Sequence, residues 1–164
     1  MIKTVEFEGE SYPRLQTEGN MTQYAAPFAV HFCSGVGYDI GYGKKEWIFA
    51  NSIGIDTVDD SPYDSYNLPE GVVDYIYSSH CLEHVEDWVK ALELWISKLR
   101  SGGVLFLYHP HADQKYWRPW NNRKHKHVLS GIYISECMIK FGMKNIFCGE
   151  RDLNHSFMIV GEKI

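Results

Sequence analysis

The apolar positions of the chain change period several times, and each change predicts an element. Val36–Ile40 is a short apolar alternation closed by Gly41 and Gly43, which predicts a buried strand ending in a tight glycine turn. "SIGIDTVDD" holds a second short apolar run that ends at Asp56. "GVVDYIYSS" is the clearest strand, since Val72, Val73, Tyr75, Ile76 and Tyr77 are strand formers. The period then lengthens: Val85, Trp88, Val89, Leu92, Trp95, Ile96 and Leu99 recur at helical spacing. Glu86 and Asp87 suit the first turn of that helix, Lys98 and Arg100 its last, and Gly102 or Gly103 its stop. "VLFLYHP" is apolar enough to be a central strand covered on both faces. "SGIYISECMIKFGM" predicts a second amphipathic helix, capped by Ser130 and closed by Gly142. "KNIFCGE" and "SFMIVGEKI" predict a closing hairpin. Ahead of all this, residues 1–19 are polar with turn formers and are expected to wrap the domain. A helix is expected from Asn20 as N-cap, with Met21, Tyr24 and Ala25 on one face and Pro27 ending or kinking it.

This order of elements predicts an α/β protein with a mainly parallel sheet. Ligands of such sheets bind outside the carboxyl ends of the strands, so functional residues are expected just after Ile40, Ile55, Tyr77 and Tyr108. A length of 164 residues suits one domain, expected to comprise an N-terminal cap segment (1–35) and a core (36–164). The net charge of −5 argues against nucleic acid as partner, because phosphate binding needs a basic face. No apolar run reaches the length of a membrane span. Four scattered cysteines, Cys33, Cys81, Cys137 and Cys148, form no CxxC pair and suggest a reducing, cytoplasmic setting.

Candidate chemistry gathers at the predicted strand ends. Asp39 followed by Gly41-Tyr42-Gly43 does not extend to the nicotinamide fingerprint, because Glu46 stands where its third glycine belongs. A carboxylate beside a close-approach glycine turn suits an ammonium group better than a pyrophosphate; the alternative is a plain strand-to-helix corner. Asp56 stands where nucleoside-binding sheets place a carboxylate on ribose hydroxyls, or is simply a turn residue. "HCLEH", His80 to His84, is H-x-x-E-H, an inverted zinc-protease signature. That chemistry needs both histidines on one helix face and a distant third ligand. Here His80 directly follows a strand, and nothing marks Glu150 or Glu162 as that ligand. His109, His111, His125 and His127 form a second group, able to bind a metal or to lie in a loop over the site. An imidazole can accept a proton near neutral pH, which makes His109 or His111 a candidate general base. "KYWRPWNNRKHKH" mixes Lys115, Arg118, Arg123, Lys124 and Lys126 with aromatic rings, which suits either a small anionic acceptor or a solvated lid.

Taken in order, "GYDIGYG", "GIDTV", "DSYNLPEGVVDYIYSSHCLEHVEDW", "LRSGGVLFLYHP" and "FGMKNI" resemble the successive motifs of class I S-adenosylmethionine-dependent methyltransferases, specifically the type 11 group with its L-E-H signature. The resemblance covers residues 37–164. It implies a Rossmann-like methyltransferase fold: a mostly parallel sheet with a C-terminal antiparallel hairpin strand. It implies S-adenosylmethionine as cofactor, with Asp39, Gly41 and Gly43 around its methionine part. Asp56, with Thr57 beside it, would hold the ribose, and Asp64 and Ser65 would flank the adenine. Ser79 and His80 would line the pocket floor near the reactive methyl. No metal is implied. The chain is shorter than the family's pattern between Gly43 and Asp56 and between Asp56 and Asp64, which predicts a compact version lacking one peripheral helix. His80, His109 and His111 are the candidate catalytic residues, His84 a packing residue beneath the pocket, and Glu83 a residue that caps or positions the turn. The N-terminal segment, with Gln23 and Tyr24, is expected to act as a lid. The expected function is methyl transfer to a small acceptor, with no nucleic acid or membrane as partner. Two alternatives stay open: a cofactor-binding protein without catalysis, and a zinc hydrolase using His80, Glu83 and His84.

Overall fold

The computed structural model describes residues 3–58 and 60–164; residues 1 and 2 of the expected cap segment, and residue 59 after Asp56, lie outside the described residues. Eight strands and four α-helices follow one another: β1 (Thr4–Phe7), β2 (Glu10–Pro13), α1 (Arg14–Thr17), α2 (Thr22–Ala29), β3 (Gly37–Ile40), β4 (Ile53–Ile55), β5 (Val73–Ser79), α3 (Trp88–Ser97), β6 (Leu99–Pro110), α4 (Gly131–Lys140), β7 (Met143–Cys148) and β8 (Ser156–Lys163). Six strands form the main sheet in the order β4-β3-β5-β6-β8-β7. The first four are parallel, and β8 runs antiparallel between β6 and β7. This is the α/β Rossmann-like arrangement with a C-terminal antiparallel strand. It is compact at the β4 edge. One 3-10 turn (Lys45–Trp47) separates β3 from β4, and between Asp56 and β5 the described residues carry only the isolated bridge Asp64–Asn67.

Two cores sandwich the sheet. On one face, Ile40, Ile76, Leu105 and Ile159 pack with Leu92, Trp95 and Ile96 of α3 and Ile134 and Met138 of α4. On the other, Met21, Ala25 and Ala29 pack on Phe49, Tyr75, Tyr77, Phe106 and Tyr108. Phe49 stacks on Tyr77 with ring centroids 4.3 Å apart, and Tyr77 stacks on Phe106 at 5.8 Å. Burial on both faces explains why Tyr75–Tyr77 of β5 and Leu105–Tyr108 of β6 are continuous apolar runs rather than alternating.

Several boundaries shift from those the pattern predicts. α3 starts at Trp88, because Asp87 is the N-cap and accepts from the Lys90 amide at 3.1 Å. Val85 lies in extended backbone before it and fills the core instead. α3 also ends early: Leu99 already pairs with Val73, so Arg100 belongs to β6 and reaches Asp74 at 2.6 Å. Gly102 and Gly103 therefore do not stop the helix but lie in a strand irregularity opposite Val73 and Tyr75. There a Cβ on Gly103 would lie 2.8 Å from the Arg100 carbonyl. α2 begins at Thr22 with Met21, not Asn20, at the cap position, and Pro27 sits inside it. The polar start of the chain folds as the β1–β2 hairpin.

Candidate active site

β4 and β5 pair on opposite sides of β3, so the chain leaves β3 in one direction and returns in the other. A crevice opens at the carboxyl ends of strands around such a reversal. Here it is a cleft of about 880 Å³, lined among others by Gly41, Gly43, Asp56, Asp64, Ser65 and His80.

The β3 side is a backbone device. Gly41 (φ +84°) and Gly43 (φ +72°) both adopt left-handed backbone. A Cβ on Gly41 would sit 2.4 Å from the Cys81 side chain, so the turn closes only with glycine there. The Gly41 amide donates to the Ile55 carbonyl at 2.8 Å, and the Gly43 amide to Asp56 Oδ2 at 2.8 Å. Asp56 Oδ1 accepts from the Thr57 amide at 2.7 Å. Each carboxylate oxygen holds two lone pairs, so Asp56 keeps acceptor capacity toward the cleft. Asp64 Oδ1 accepts from the Tyr66 amide at 2.7 Å, and the Ser65 carbonyl accepts from Trp95 Nε1 at 2.9 Å. Tyr66 Oη in turn accepts from the Asp87 amide at 2.7 Å, which ties this turn to the start of α3.

Asp39 stands behind the turn rather than in the cleft: it is buried and accepts from the Phe49 amide at 2.7 Å. Burial pushes its carboxyl up to about 7, the Phe49 bond opposes that rise, and Asp56 adds to it. Ser79, expected on the pocket floor, is instead buried and does not line the cleft, and among the described residues its hydroxyl has no hydrogen-bond partner.

On the β5–β6 side the register sets Ser79 opposite Tyr108, which brings His80 and His109 together just beyond. His80 holds left-handed backbone (φ 51°), donates its amide to the Tyr108 carbonyl at 2.8 Å and bonds through Nε2 to Ser156 Oγ at 2.9 Å. A non-glycine residue held at such a φ is strained by its surroundings. Burial pushes its imidazole down to about 3. His109 is buried and outside the cleft, with Nε2 3.4 Å from Glu83 Oε2. His111 faces a separate cavity of about 220 Å³ and holds Asp113 at 2.6 Å. Of the three candidate catalytic histidines, only His80 lines the cleft.

Glu83 takes a different place from the one its turn position suggests. Its side chain is fully buried within a ring of four imidazoles: His109 at 3.4 Å, His80 and His84 at 3.8 Å, and His125 at 3.9 Å. Burial would raise its carboxyl, but the imidazoles, His109 foremost, outweigh this and hold it at about 2. Neither oxygen has a hydrogen-bond partner among the described residues. Its backbone carbonyl meanwhile accepts from the Lys126 and His127 amides at 2.9 and 3.2 Å, which fixes the loop over the cleft.

Residues 17–146 match the model of the methyltransferase-domain family. The chain belongs to that family. Solved structures agree on the fold of this methyltransferase. A SAM-dependent methyltransferase of Archaeoglobus fulgidus is 16% identical with a TM-score of 0.69, covering 92% of this chain and 99% of that one. A possible histamine N-methyltransferase of Thermotoga maritima is 17% identical with a TM-score of 0.64, covering 92% and 97%. The N-methyltransferase NodS of Bradyrhizobium japonicum, solved with S-adenosyl-L-homocysteine, is 12% identical with a TM-score of 0.63, covering 90% and 87%. Among the curated proteins, none matches the chain.

Part of the methyltransferase's cleft wall comes from residues that no sequence pattern marks. Gln16, Gly19 and Met21 line it, whereas Gln23 and Tyr24 do not, and Tyr24 packs on the aromatic core. Gln16, oriented by its neighbours, donates to the Asn154 carbonyl at 3.1 Å and accepts from Trp117 Nε1 at 2.8 Å. A buried glutamine in a polar segment carries no pattern that would have shown this. No helix among the described residues is long and apolar enough to cross a membrane.

Proposed function

We propose that this methyltransferase transfers a methyl group from S-adenosylmethionine to a small acceptor held against the loop of residues 111–130. Asp56 carries the reading: a carboxylate at the strand end, braced by two backbone amides and lining the cleft, is placed to accept from vicinal ribose hydroxyls. The bound cofactor supplies an electrophilic methyl on a sulfonium, so the protein's task is to bind, orient and exclude water. The Gly41–Gly43 turn brings backbone against the methionine part, Asp39 positions that turn from behind, and Asp64 and Ser65 flank the adenine. Thr57 braces Asp56. His80 forms the floor, where a neutral imidazole can orient an acceptor, while Ser79 is buried and off the cleft lining. His109 and His111 do not line the cleft, so neither is given the base role. Displacement at an activated methyl needs no dedicated base when the acceptor loses its proton to water.

Lys124 on the cleft wall favours an anionic acceptor, whereas Lys126 is paired with Glu86 of the same wall. Residues 1–35 serve as the cap segment of a single domain, with Gln16–Met21 as its cleft-facing part. The four free thiols are consistent with a reducing, cytoplasmic setting. Calorimetry with S-adenosylhomocysteine tests the cofactor, and release of that product from pools of small anionic acceptors tests turnover. Binding without turnover on any pool would favour a non-catalytic cofactor-binding protein, and no binding would overturn the proposal.

A further inference from the structure

Of the imidazoles around Glu83 only His80 enters the methyl-transfer reading; the set of Glu83, His84 and His125 lies outside it and does not depend on it. Three residues converge there: Glu83, His84 and His125 each offer one donor atom, all within 4.8 Å of one another. The carboxylate oxygen is 3.8 Å from His84 and 3.9 Å from His125. Adjacent donors around a tetrahedral zinc ion lie about 3.4 Å apart at ordinary bond lengths. The two carboxylate contacts need to close by about half an ångström, and the two imidazoles, within 4.8 Å of each other, by no more than about 1.4 Å, which side-chain rotation can supply.

The outer hydrogen bonds point the same way. His84 Nδ1 faces the Lys124 carbonyl at 2.7 Å, and a carbonyl can only accept, so Nδ1 carries the proton. In the neutral ring this leaves the Nε2 lone pair aimed at Glu83. His109 repeats the arrangement: Nδ1 faces the Pro110 carbonyl at 3.1 Å, while Nε2 is buried without a hydrogen-bond partner, 3.4 Å from Glu83 Oε2. Metal-binding histidines characteristically donate their other ring N–H to a carbonyl or carboxylate, which fixes the tautomer and aims the free nitrogen. Acceptor thus faces acceptor around a fully buried carboxylate whose two oxygens have no donor among the described residues.

From this geometry we infer that Glu83, His84 and His125 form a binding site for a divalent transition-metal ion of the zinc class. Nitrogen and carboxylate donors in a two-histidine, one-carboxylate set suit such an ion, and the set differs from a protease site. Here Glu83 is a ligand rather than a base, and Leu82–His84 form a 3-10 turn instead of a helix face. The ion joins two separate segments. His84 follows β5, and His125 comes from the 111–130 loop, which also provides the carbonyl that orients His84. The metal therefore clamps that loop over the cleft. Three protein donors leave a tetrahedral ion one position, and since His84 and His125 both line the cleft, that position takes water or an anionic oxygen from it.

The test uses the full chain, stripped with a chelator and desalted. Adding zinc and desalting again should leave one equivalent by elemental analysis, and cobalt(II) should give the intense visible absorption of a tetrahedral site. The thermal midpoint should rise with zinc. His84→Ala, at a half-buried position, should keep the fold by circular dichroism and weaken zinc binding about a hundredfold or more. Glu83→Gln should do the same if it folds, and the wild-type and His84→Ala results decide the matter if it does not. Zinc at only trace level in the wild type, or undiminished affinity in His84→Ala, overturns the inference. S-adenosylhomocysteine binding, measured separately on the same preparations, reports on the methyl-transfer reading alone.

Discussion

On the β4 side of the cleft the carboxylates have partners within the fold: Asp56 and Asp64 each accept from backbone amides a short distance away in the chain. On the β6 side Glu83 is more deeply buried and has no hydrogen-bond donor among the described residues, only imidazole nitrogens at 3.4 to 3.9 Å. A partly exposed carboxylate with braced geometry is ready for a hydroxyl ligand and loses little by waiting in water. A buried carboxylate without donors is costly unless protons or a cation complete it. The difference matches the two proposals, a preorganised small-molecule site on one side and an ion site on the other.

The largest effect that would break this comparison is on the β4 side. If Asp56 holds the ribose as proposed, Asp56→Ala removes two charge-assisted bonds and should weaken S-adenosylhomocysteine binding roughly a hundredfold or more, at about 1.5 to 3 kcal/mol per bond. Unchanged affinity in calorimetry would show that this side is not preorganised for a nucleoside. Next comes Gly41→Ala, where both the left-handed φ and the Cys81 contact oppose a Cβ. It should lower stability by about 2 to 4 kcal/mol in chemical denaturation. Pairing it with Cys81→Ala should recover only the steric part.

A pH measurement sharpens the same contrast. The Asp39 carboxyl is raised by burial from 3.8 to about 7 in the folded protein, so the folded state binds this proton more tightly than the unfolded state. Its stabilising contribution is complete below about pH 3.8 and is lost as pH rises through about 7. Asp39→Asn should flatten that part of the stability–pH profile while keeping an acceptor for the Phe49 amide. A profile as steep as that of the wild type would mean that Asp39 titrates normally. The smallest expected effect is that of Ser156→Ala, which deprives His80 Nε2 of its partner and should lower stability by about 1 kcal/mol. Its use is diagnostic: a lower kcat with an unchanged stability curve would give His80 a direct part in orienting the acceptor.

Much of the fold could be read in advance because it rests on local rules. The alternation from Val36, the glycines after Ile40 and the helical spacing from Trp88 each act over a few residues. The α3 boundary was misplaced because Leu99 looks helical by spacing yet pairs with Val73, and a strand partner is not visible in a local window. The candidate site divided in the same way. Asp56, Gly41 and Gly43 are found from strand ends and turn chemistry, and all three line the cleft. His109 and His111 stand just after Tyr108, but His109 lies within β6, which runs through Pro110, and neither lines the cleft.

By itself, the sequence determined the layered α/β order, the glycine turn and the carboxylate after β4, because these follow from period, φ preference and chain direction. Tertiary structure alone decided that His80, His84, His109 and His125 meet at Glu83. That meeting depends on the β5–β6 register, which sets His80 beside His109. It depends equally on the two amides of the 111–130 loop that bond to the Glu83 carbonyl and carry His125 inward. Both are contacts between segments separated by tens of residues, and their geometry exists only once the sheet has formed.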